Sequence, residues 1–512
     1  MLVPLNPIDN PEVDISLTLC WVYVTAVTEE SAAAHEERLK AAAERVVRKW
    51  PLLAGVPKYL GPGRWAIDVP DELDETSKSR SLVGFSSATH SKPYHVAAGL
   101  PEPLPPLATA PSGFSPTPHI PLFCPSSVPS TFAHLAKSNR PLLHVHATFF
   151  PDAIALGVTL PHGAFDGTGY GMVLRALNAE LHGRGDWEVP PLWAENPLSR
   201  TVNALVEDEA VREEGKGASW ELEGWRSFSL GGVMRMLCSL AAEIYWWRSE
   251  QRWMFLRQAA VDHLVERVKE DVKRETGGKE YVSSGDILVA WFLKAALADE
   301  STLSGSVASI AVSNCRSLLT SYAASSPSVP PFDFSLYPHG AVAPYDLLAP
   351  ALPLSDLATT SLATLALAFR RNLDKQRNLS TLRACTLFHP TTTNTPSSIP
   401  HRDWPHLFSS SATASSAPGR GPTHRFFFTN QTSLGMASLA LPALEDGEDD
   451  LPLVSYALTG RMPLLFDHAV ALQRVEGAGI RVGGRIRRTR WESVGRAVEE
   501  LEREADQKAR RG

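Results

Sequence analysis

Hydrophobic positions along the chain fall into two spacings, one of strands and one of helices. Leu17–Val27 is rich in Val, Thr, Tyr and Trp and predicts a strand. In residues 31–49, Leu39, Ala42, Ala43, Val46 and Val47 recur on one helical face. That predicts a helix with Ser31 able to cap its start and Pro51 stopping it. Leu142–Phe150 and Ala153–Leu160 read as two strands with Pro151-Asp152 as the turn between them. A helix through Leu181 follows. In the second half, 259–273, 286–298 and 355–376 carry helical patterns. Strands are predicted at 308–312, 425–429, 469–475 and 480–486, and a charged amphipathic helix at 491–508. Residues 99–130, 323–353 and 390–422 are dense in proline or serine and read as loops. Residues 183–228 mix charge with Pro and Gly and read as a crossover between halves. Helices and strands intermix throughout, without a short solenoid repeat, so the class is α/β.

Leu230–Trp247 is the most apolar stretch, and Arg235 and Glu243 interrupt it. A membrane-spanning helix needs about 20 apolar residues. A buried helix is therefore expected, the alternative being a helix on a membrane surface.

With 512 residues, 44% hydrophobic and 21% charged, the chain can build two domains with sizeable cores. The formal net charge of −7 argues against a broad nucleic-acid surface. Cys20, Cys124, Cys238, Cys315 and Cys385 are odd in number and scattered, with no CxxC pair. Neither a disulfide framework nor a zinc ribbon is implied, and a reducing compartment is expected. The first residues, MLVPLNPIDNPEVD, lack the basic and apolar regions of a signal peptide, so a cytoplasmic location is expected.

The chemistry concentrates in Leu160-Pro-His162-Gly-Ala-Phe-Asp166-Gly167. A histidine at a strand end is held rigidly yet can face a cleft. Its reference pKa of about 6.5 suits a base near neutrality, and a nearby helix N-terminus disfavours the imidazolium. Gly163 and Gly167 permit close approach of substrate or backbone. Asp166 is equally well placed as the cap of the helix that follows, and a lone histidine is more often structural than catalytic. His144 and His146 share one strand face, which admits a metal pair, but core or cleft-lining roles fit better. Gly167-Thr-Gly169-Tyr-Gly171 and Gly477-Ala-Gly479 lack dinucleotide-loop spacing, and there is no GxSxG elbow or P-loop. Glu445–Asp450 reads as a solvated acidic loop, not a calcium site. Trp246, Trp247 and Trp253 are expected to pack a core or line a channel.

The segment resembles the HxxxDG motif of the CoA-dependent acyltransferase superfamily. It is most similar to BAHD acyltransferases, in particular their fungal, trichothecene acetyltransferase-like branch. Pro4-Leu-Asn-Pro-Ile-Asp9 resembles the family's opening LSPLD, and Trp50-Pro51-Leu-Leu-Ala-Gly55 its FPLLAG. Tyr281-Val-Ser-Ser-Gly-Asp-Ile-Leu-Val-Ala-Trp291 resembles VSSFDVLAAHLW, and Ser313-Asn-Cys-Arg316-Ser the DxRSR segment. These anchors come in family order over most of the chain.

The resemblance implies two similar chloramphenicol acetyltransferase-like domains, each a mixed β-sheet flanked by helices, with a channel between them. The expected division is 1–195, a crossover at 196–250, and 251–512. It implies His162 as general base, removing a proton from an acceptor hydroxyl or amine that attacks an acyl-CoA thioester without an acyl-enzyme. Asp166 would pair with Arg316 and hold the loop. Thr429 matches the family's TSW segment and Gln431 stands at its Trp; with Gly167 they would lie at the oxyanion and substrate. Ser283, Ser284 and Asp286 would border the CoA channel. Ala440–Leu444 departs from the family's DFGWG. Acyl-CoA is implied as co-substrate, with no metal, flavin or nicotinamide and no permanently bound cofactor. The partner is a small-molecule alcohol or amine, and the protein is expected to be a monomer. Two other readings stand beside this one. A carrier-protein-dependent condensation-type enzyme usually has a second histidine just before the motif, where this chain has Pro161. A degenerate binding protein of the same fold would accommodate the departures at Gln431 and 440–444.

Overall fold

The computed structural model describes residues 1–6, 16–61, 64–71, 73, 81–103, 112–115, 119–216, 238, 241–300, 305–348, 351–387, 424–434, 439–442, 454–459, 468–475 and 477–511. The strands of its first half are β1 (Leu2–Pro4), β2 (Ser16–Tyr23), β3 (Val56–Gly61), β4 (Arg64–Asp68), β5 (Gly84–Thr89), β6 (Gly113–Ser115), β7 (His144–Phe150) and β8 (Ala153–Pro161). The second half contributes β9 (Ser249–Arg257), β10 (Ser306–Asn314), β11 (Val342–Asp346), β12 (Leu352–Pro353), β13 (His424–Asn430), β14 (Val454–Thr459), β15 (His468–Val475) and β16 (Gly479–Arg487).

Two large mixed sheets result. The first runs β14-β2-β8-β7-β5, with only the β5–β7 pair parallel. The second runs β11-β10-β13-β15-β16-β9-β6, with β12 paired to β10. Its centre, β10-β13-β15, is parallel. A small sheet, β1-β4-β3, stands apart. Each large sheet takes one strand from the other half of the chain. The late β14 lines up Val454 with Val22, and the early β6 lines up Gly113 with Phe255.

Every residue of β2, β7 and β8 is buried. That is the signature of strands covered on both faces. The helices Glu29–Lys49 and Gly167–Leu181 pack over the first sheet. Arg45 and Lys49 of one helix both reach the buried Glu180 of the other, at 2.9 and 2.6 Å. Over the second sheet lie Gln258–Thr276, Ser284–Ala296, Leu362–Gln376 and Arg488–Arg511, around a core that includes Leu264, Phe292, Phe369 and Trp491.

Several sequence expectations are corrected. Thr28, not Ser31, caps the first long helix; Ser31 is the third helical residue and completes a reciprocal capping box. The crossover 183–228 contains two helices, Pro197–Glu207 and Glu209–Lys216, the first capped by Asn196 with Pro197 behind it. The pattern at 355–376 is two helices, Leu354–Thr359 and Leu362–Gln376, because Ser361 caps a new start. Within 323–353, β11 and β12 add to the second sheet. Trp246 and Trp247 are exposed, 81% and 49%, whereas Trp253 is core. Glu243 on the same turn points inward to an ion pair with Arg487, and the half-exposed Trp247 ring lies against that same guanidinium, its centroid 4.4 Å away. Most of Leu230–Ser239, the loop 390–422 and the acidic run Glu445–Asp450 lie outside the described residues. No helix among the described residues is long and apolar enough to cross a membrane.

The topology directs three strand ends at one region. Strand β8 runs straight into His162. Strands β10 and β13 run parallel, with Ala311 level with Phe428. Their carboxyl ends, at Asn314 and Asn430, therefore open on the same edge of the second sheet. Asn314 crosses to the other half and donates to the Thr168 hydroxyl at 3.3 Å.

Strand β11 ends on a buried carboxyl, Asp346, whose Oδ1 has no hydrogen-bond partner. Burial pushes its pKa from 3.8 up to about 7. The folded state thus holds a proton that the unfolded chain releases, and stability falls as pH rises between those two values. Asp346→Asn should be nearly neutral below pH 4 and stabilising above pH 7, by on the order of 4 kcal/mol at most. Urea melts of both proteins across this range check the sign; a constant difference at all pH values would refute it.

Candidate active site

Pro161 closes β8 with a tight turn. Its carbonyl accepts from the Ala164 and Phe165 amides at 3.1 and 3.2 Å. The turn brings the His162 ring back over its own loop, where Nδ1 meets the Phe165 carbonyl at 2.8 Å. A carbonyl only accepts, so Nδ1 carries the proton and the lone pair sits on Nε2. Nε2 makes no hydrogen bond among the described residues. Burial lowers the ring's pKa below 6.5, opposed by the Phe165 carbonyl and the charge of Asp166. His162 is therefore a neutral imidazole near pH 7 with its basic nitrogen unoccupied.

Asp166 fills both roles open to it. Its Oδ1 accepts from the Gly169 amide at 3.0 Å, capping the helix Gly167–Leu181. The same carboxylate takes a bidentate ion pair from Arg316, Nη1 to Oδ2 at 2.8 Å and Nη2 to Oδ1 at 2.9 Å. Both side chains are buried. Arg316 spends its remaining N–H groups on the carbonyls of Tyr337 at 2.9 Å and His339 at 2.7 Å, and on Asn314 Oδ1 at 3.3 Å. All five guanidinium donors are satisfied, as a buried arginine requires.

Residues 337–341 wrap this pair. Besides the two carbonyls on Arg316, the Ala341 amide donates to Asp166 Oδ2 at 3.2 Å. His339 Nδ1 donates to the Ala164 carbonyl at 2.6 Å. Gly169 is required by this contact, because a Cβ there would stand 2.0 Å from the Pro338 carbonyl oxygen. Sequence reasoning passed over His339, although a signal exists: Pro-His-Gly-Ala occurs at 161–164 and again at 338–341.

Thr429 sits partly buried on β13, level with Ala471 of β15. Gln431 follows the strand, its amide donating to the Leu472 carbonyl at 2.8 Å. Its side-chain oxygen accepts from Gln473 at 2.9 Å, which leaves the Gln431 amino group as a donor. The loop after it approaches the Gly167 helix, with the Leu434 carbonyl oxygen 2.8 Å from where a Gly171 Cβ would stand. Gly167 itself is the partly buried first residue of that helix.

Ser283 and Asp286 form a capping box for the helix Ser284–Ala296, and Asp286 also pairs with Arg370. Their polar atoms thus have structural partners, while Ser284 is partly buried at the helix start. The adjoining Gly285 lies against Asn430, 2.1 Å from a would-be Cβ to Nδ2. Ser283–Asp286 therefore adjoins the end of β13. His144 and His146 are both buried, His146 between the Ser86 and Thr148 hydroxyls at 2.8 and 3.0 Å. Among the described residues no cluster of three His, Cys, Asp or Glu could hold a metal. In place of DFGWG, Leu439 and Leu441 enter the core of the first sheet and the Leu439 carbonyl accepts from Tyr23 at 2.7 Å. Ala443 and Leu444 lie outside the described residues.

Comparison with known proteins adds to this geometry. The crystal structure of TRI101 from F. sporotrichioides, complexed with coenzyme A and T-2, matches with a TM-score of 0.58 at 15% identity, over 96% of this chain and 97% of that one. The crystal structure of vinorine synthase matches at 0.53 and 14% identity, over 98% and 93%. The fold is that of the BAHD-like acyltransferases. By sequence, O-acyltransferase pboC of Aspergillus ustus is 28% identical over 258 residues, 50% of this chain and 49% of that protein. Acetyltransferase BOT5 of Botryotinia fuckeliana is 27% identical over 256 residues, 47% and 44% of the two. The chain spans about half the length of these curated relatives in its alignments. No family model matches.

In this BAHD-like fold the Asp166–Arg316 pair yields a direct test. Asn at 166 retains the cap but leaves a buried guanidinium uncompensated. Asp166→Asn and Arg316→Met should each cost about 3–5 kcal/mol in denaturant melts. A neutral Asp166→Asn would mean the capping bond is the whole of its contribution.

Proposed function

We propose that this protein is an acyl-CoA-dependent acyltransferase that moves an acetyl or longer acyl group to a hydroxyl or amine of a small specialised metabolite. The observation that carries this reading is the neutral His162, with Nδ1–H held by the Phe165 carbonyl and Nε2 unoccupied. Nε2 takes the acceptor's proton as the acceptor oxygen or nitrogen attacks the thioester carbonyl. The C–S bond then breaks, and the imidazolium returns that proton to the departing thiolate. No acyl-enzyme forms, and Asp166 positions the loop without taking the proton. The tetrahedral oxyanion is assigned to donors at Gln431, Thr429 and the amide of Gly167, with preorganised donors of this kind supplying much of the rate gain. Ser283, Ser284 and Asp286 are assigned to the wall of the CoA channel.

The relatives named O-acyltransferase and acetyltransferase support the reaction class. The coenzyme A and T-2 of the TRI101 complex support a thioester donor and a small acceptor. The reading also takes the protein to be a cytoplasmic monomer.

The test is free thiol release from acetyl-CoA and longer acyl-CoAs with pooled alcohols and amines, the products being read by mass spectrometry. His162→Ala should lose about 10²–10⁴-fold in turnover, and Gln431→Leu about 10²–10³-fold. Because the base must be neutral, kcat/KM should fall on the acid side with an apparent pKa below 6.5. Wild-type turnover by His162→Ala would end this mechanism. Release only from carrier-protein-bound donors would replace CoA as the acyl carrier.

A further inference from the structure

We infer that His339 is a positioning residue for the His162 base, fixing the 161–166 loop from the opposite half of the chain. This inference rests on the acyltransferase reading. Two consecutive carbonyls of that loop each accept from an imidazole Nδ1. Phe165 accepts from His162 at 2.8 Å and Ala164 from His339 at 2.6 Å. The two bonds act in series. The Phe165 carbonyl sets the tautomer and ring direction of His162, and His339 holds the peptide group immediately before it.

The surroundings of His339 leave it little freedom. The residue is fully buried. Its ring packs against Phe165, Trp193 and Tyr337, with centroids 6.1, 6.3 and 5.3 Å away. Its own carbonyl is held by Arg316 at 2.7 Å. Burial keeps the imidazole neutral, with its pKa down at about 4. A neutral ring has one donor and one acceptor. The donor is committed to Ala164, and Nε2 has no hydrogen-bond partner. Burying a polar nitrogen unsatisfied costs free energy. A residue chosen only for packing would not carry that cost where Phe or Leu fills the same space.

Other bonds do not replace this one. The Ala164 amide is bound within the turn, to Pro161. Asp166 is fixed at the far end of the loop by Arg316, Gly169 and Ala341. His339 thus governs the carbonyl on the His162 side of Asp166. A small rotation of the 164–165 peptide would swing the Phe165 carbonyl off Nδ1 and release the ring.

Three variants and two readouts test this. His339→Phe keeps the ring and removes the donor. His339→Asn keeps a donor at the position of Nδ1. His339→Leu removes both the ring and the donor. In His339→Phe and His339→Leu, kcat should drop by about 10²-fold, the scale of a 1 Å misplacement, with KM for acyl-CoA unchanged. His339→Asn should restore most of it. Nitrogen-15 NMR of histidine-labelled protein supplies the second readout and needs no turnover. The His162 ring signals should report Nδ1–H in wild type and His339→Asn, and tautomer exchange in His339→Phe. Unchanged His162 signals in His339→Phe would overturn the inference whether or not any donor is turned over. So would parallel loss of melting temperature and activity in all three variants, Asn included, since that marks packing alone. Failure of every acyl donor with the NMR pattern intact would sink the acyltransferase reading and leave the positioning role standing.

Discussion

The buried ion pair between Asp166 and Arg316 is the constraint on which the site depends. It joins a helix start on the first sheet to Arg316, the first residue of the helix that follows a strand of the second. Neither partner is tolerable alone at that depth. A lone carboxylate or guanidinium removed from water costs several kcal/mol, and a pair recovers this only with near-ideal geometry. The protein supplies that geometry in full. One bidentate pair of hydrogen bonds, a helix cap, one backbone amide and three carbonyl or amide oxygens satisfy both groups. Every one of those partners must be in place at once, so the pair also fixes the relative position of the two sheets. The histidine loop inherits that rigidity.

The proposed base, His162, is built from ordinary parts. A strand delivers a histidine, a tight turn folds it back, and a carbonyl chooses its tautomer. Burial does the remaining work by disfavouring the charged ring, so that no dedicated carboxylate partner is needed on Nδ1. This differs from a triad, in which a carboxylate orients the imidazole. Here the nearest carboxylate is committed to Arg316 and acts on the ring only through its field.

Much of this was legible in the chain. The strand-then-PHGAFDG segment located the histidine as a local pattern at a strand end, whereas Arg316 was reached only through the resemblance of Ser-Asn-Cys-Arg to the family's segment. Most helices followed from spacing. What escaped depended on local turn geometry or on distant partners. Whether Thr28 or Ser31 caps a helix is decided by one turn's geometry. The cap that Ser283 and Asp286 form, and the ion pair of Asp286 with Arg370, 84 positions away, were not foreseen. The turn that carries Trp246 and Trp247 is anchored by Glu243 to Arg487, 244 positions on, and Trp247 lies against the same guanidinium. His339 gave no sign of its role by spacing from His162, since its ring reaches the Ala164 carbonyl only when the two halves are assembled.

The placement of β14 has a consequence for how the chain is made. Strand β2 leaves the ribosome long before its partner on one side, β14. Through most of synthesis β2 presents an open edge of apolar sequence, a template for pairing with another chain. The first sheet closes only after nearly all of the second half exists. Such long-range closure is slow and favours collapse as a unit over domain-by-domain folding. A product truncated before Val454 would carry every residue of the His162 loop and its Arg316 clamp, and still expose the seam along which aggregation begins.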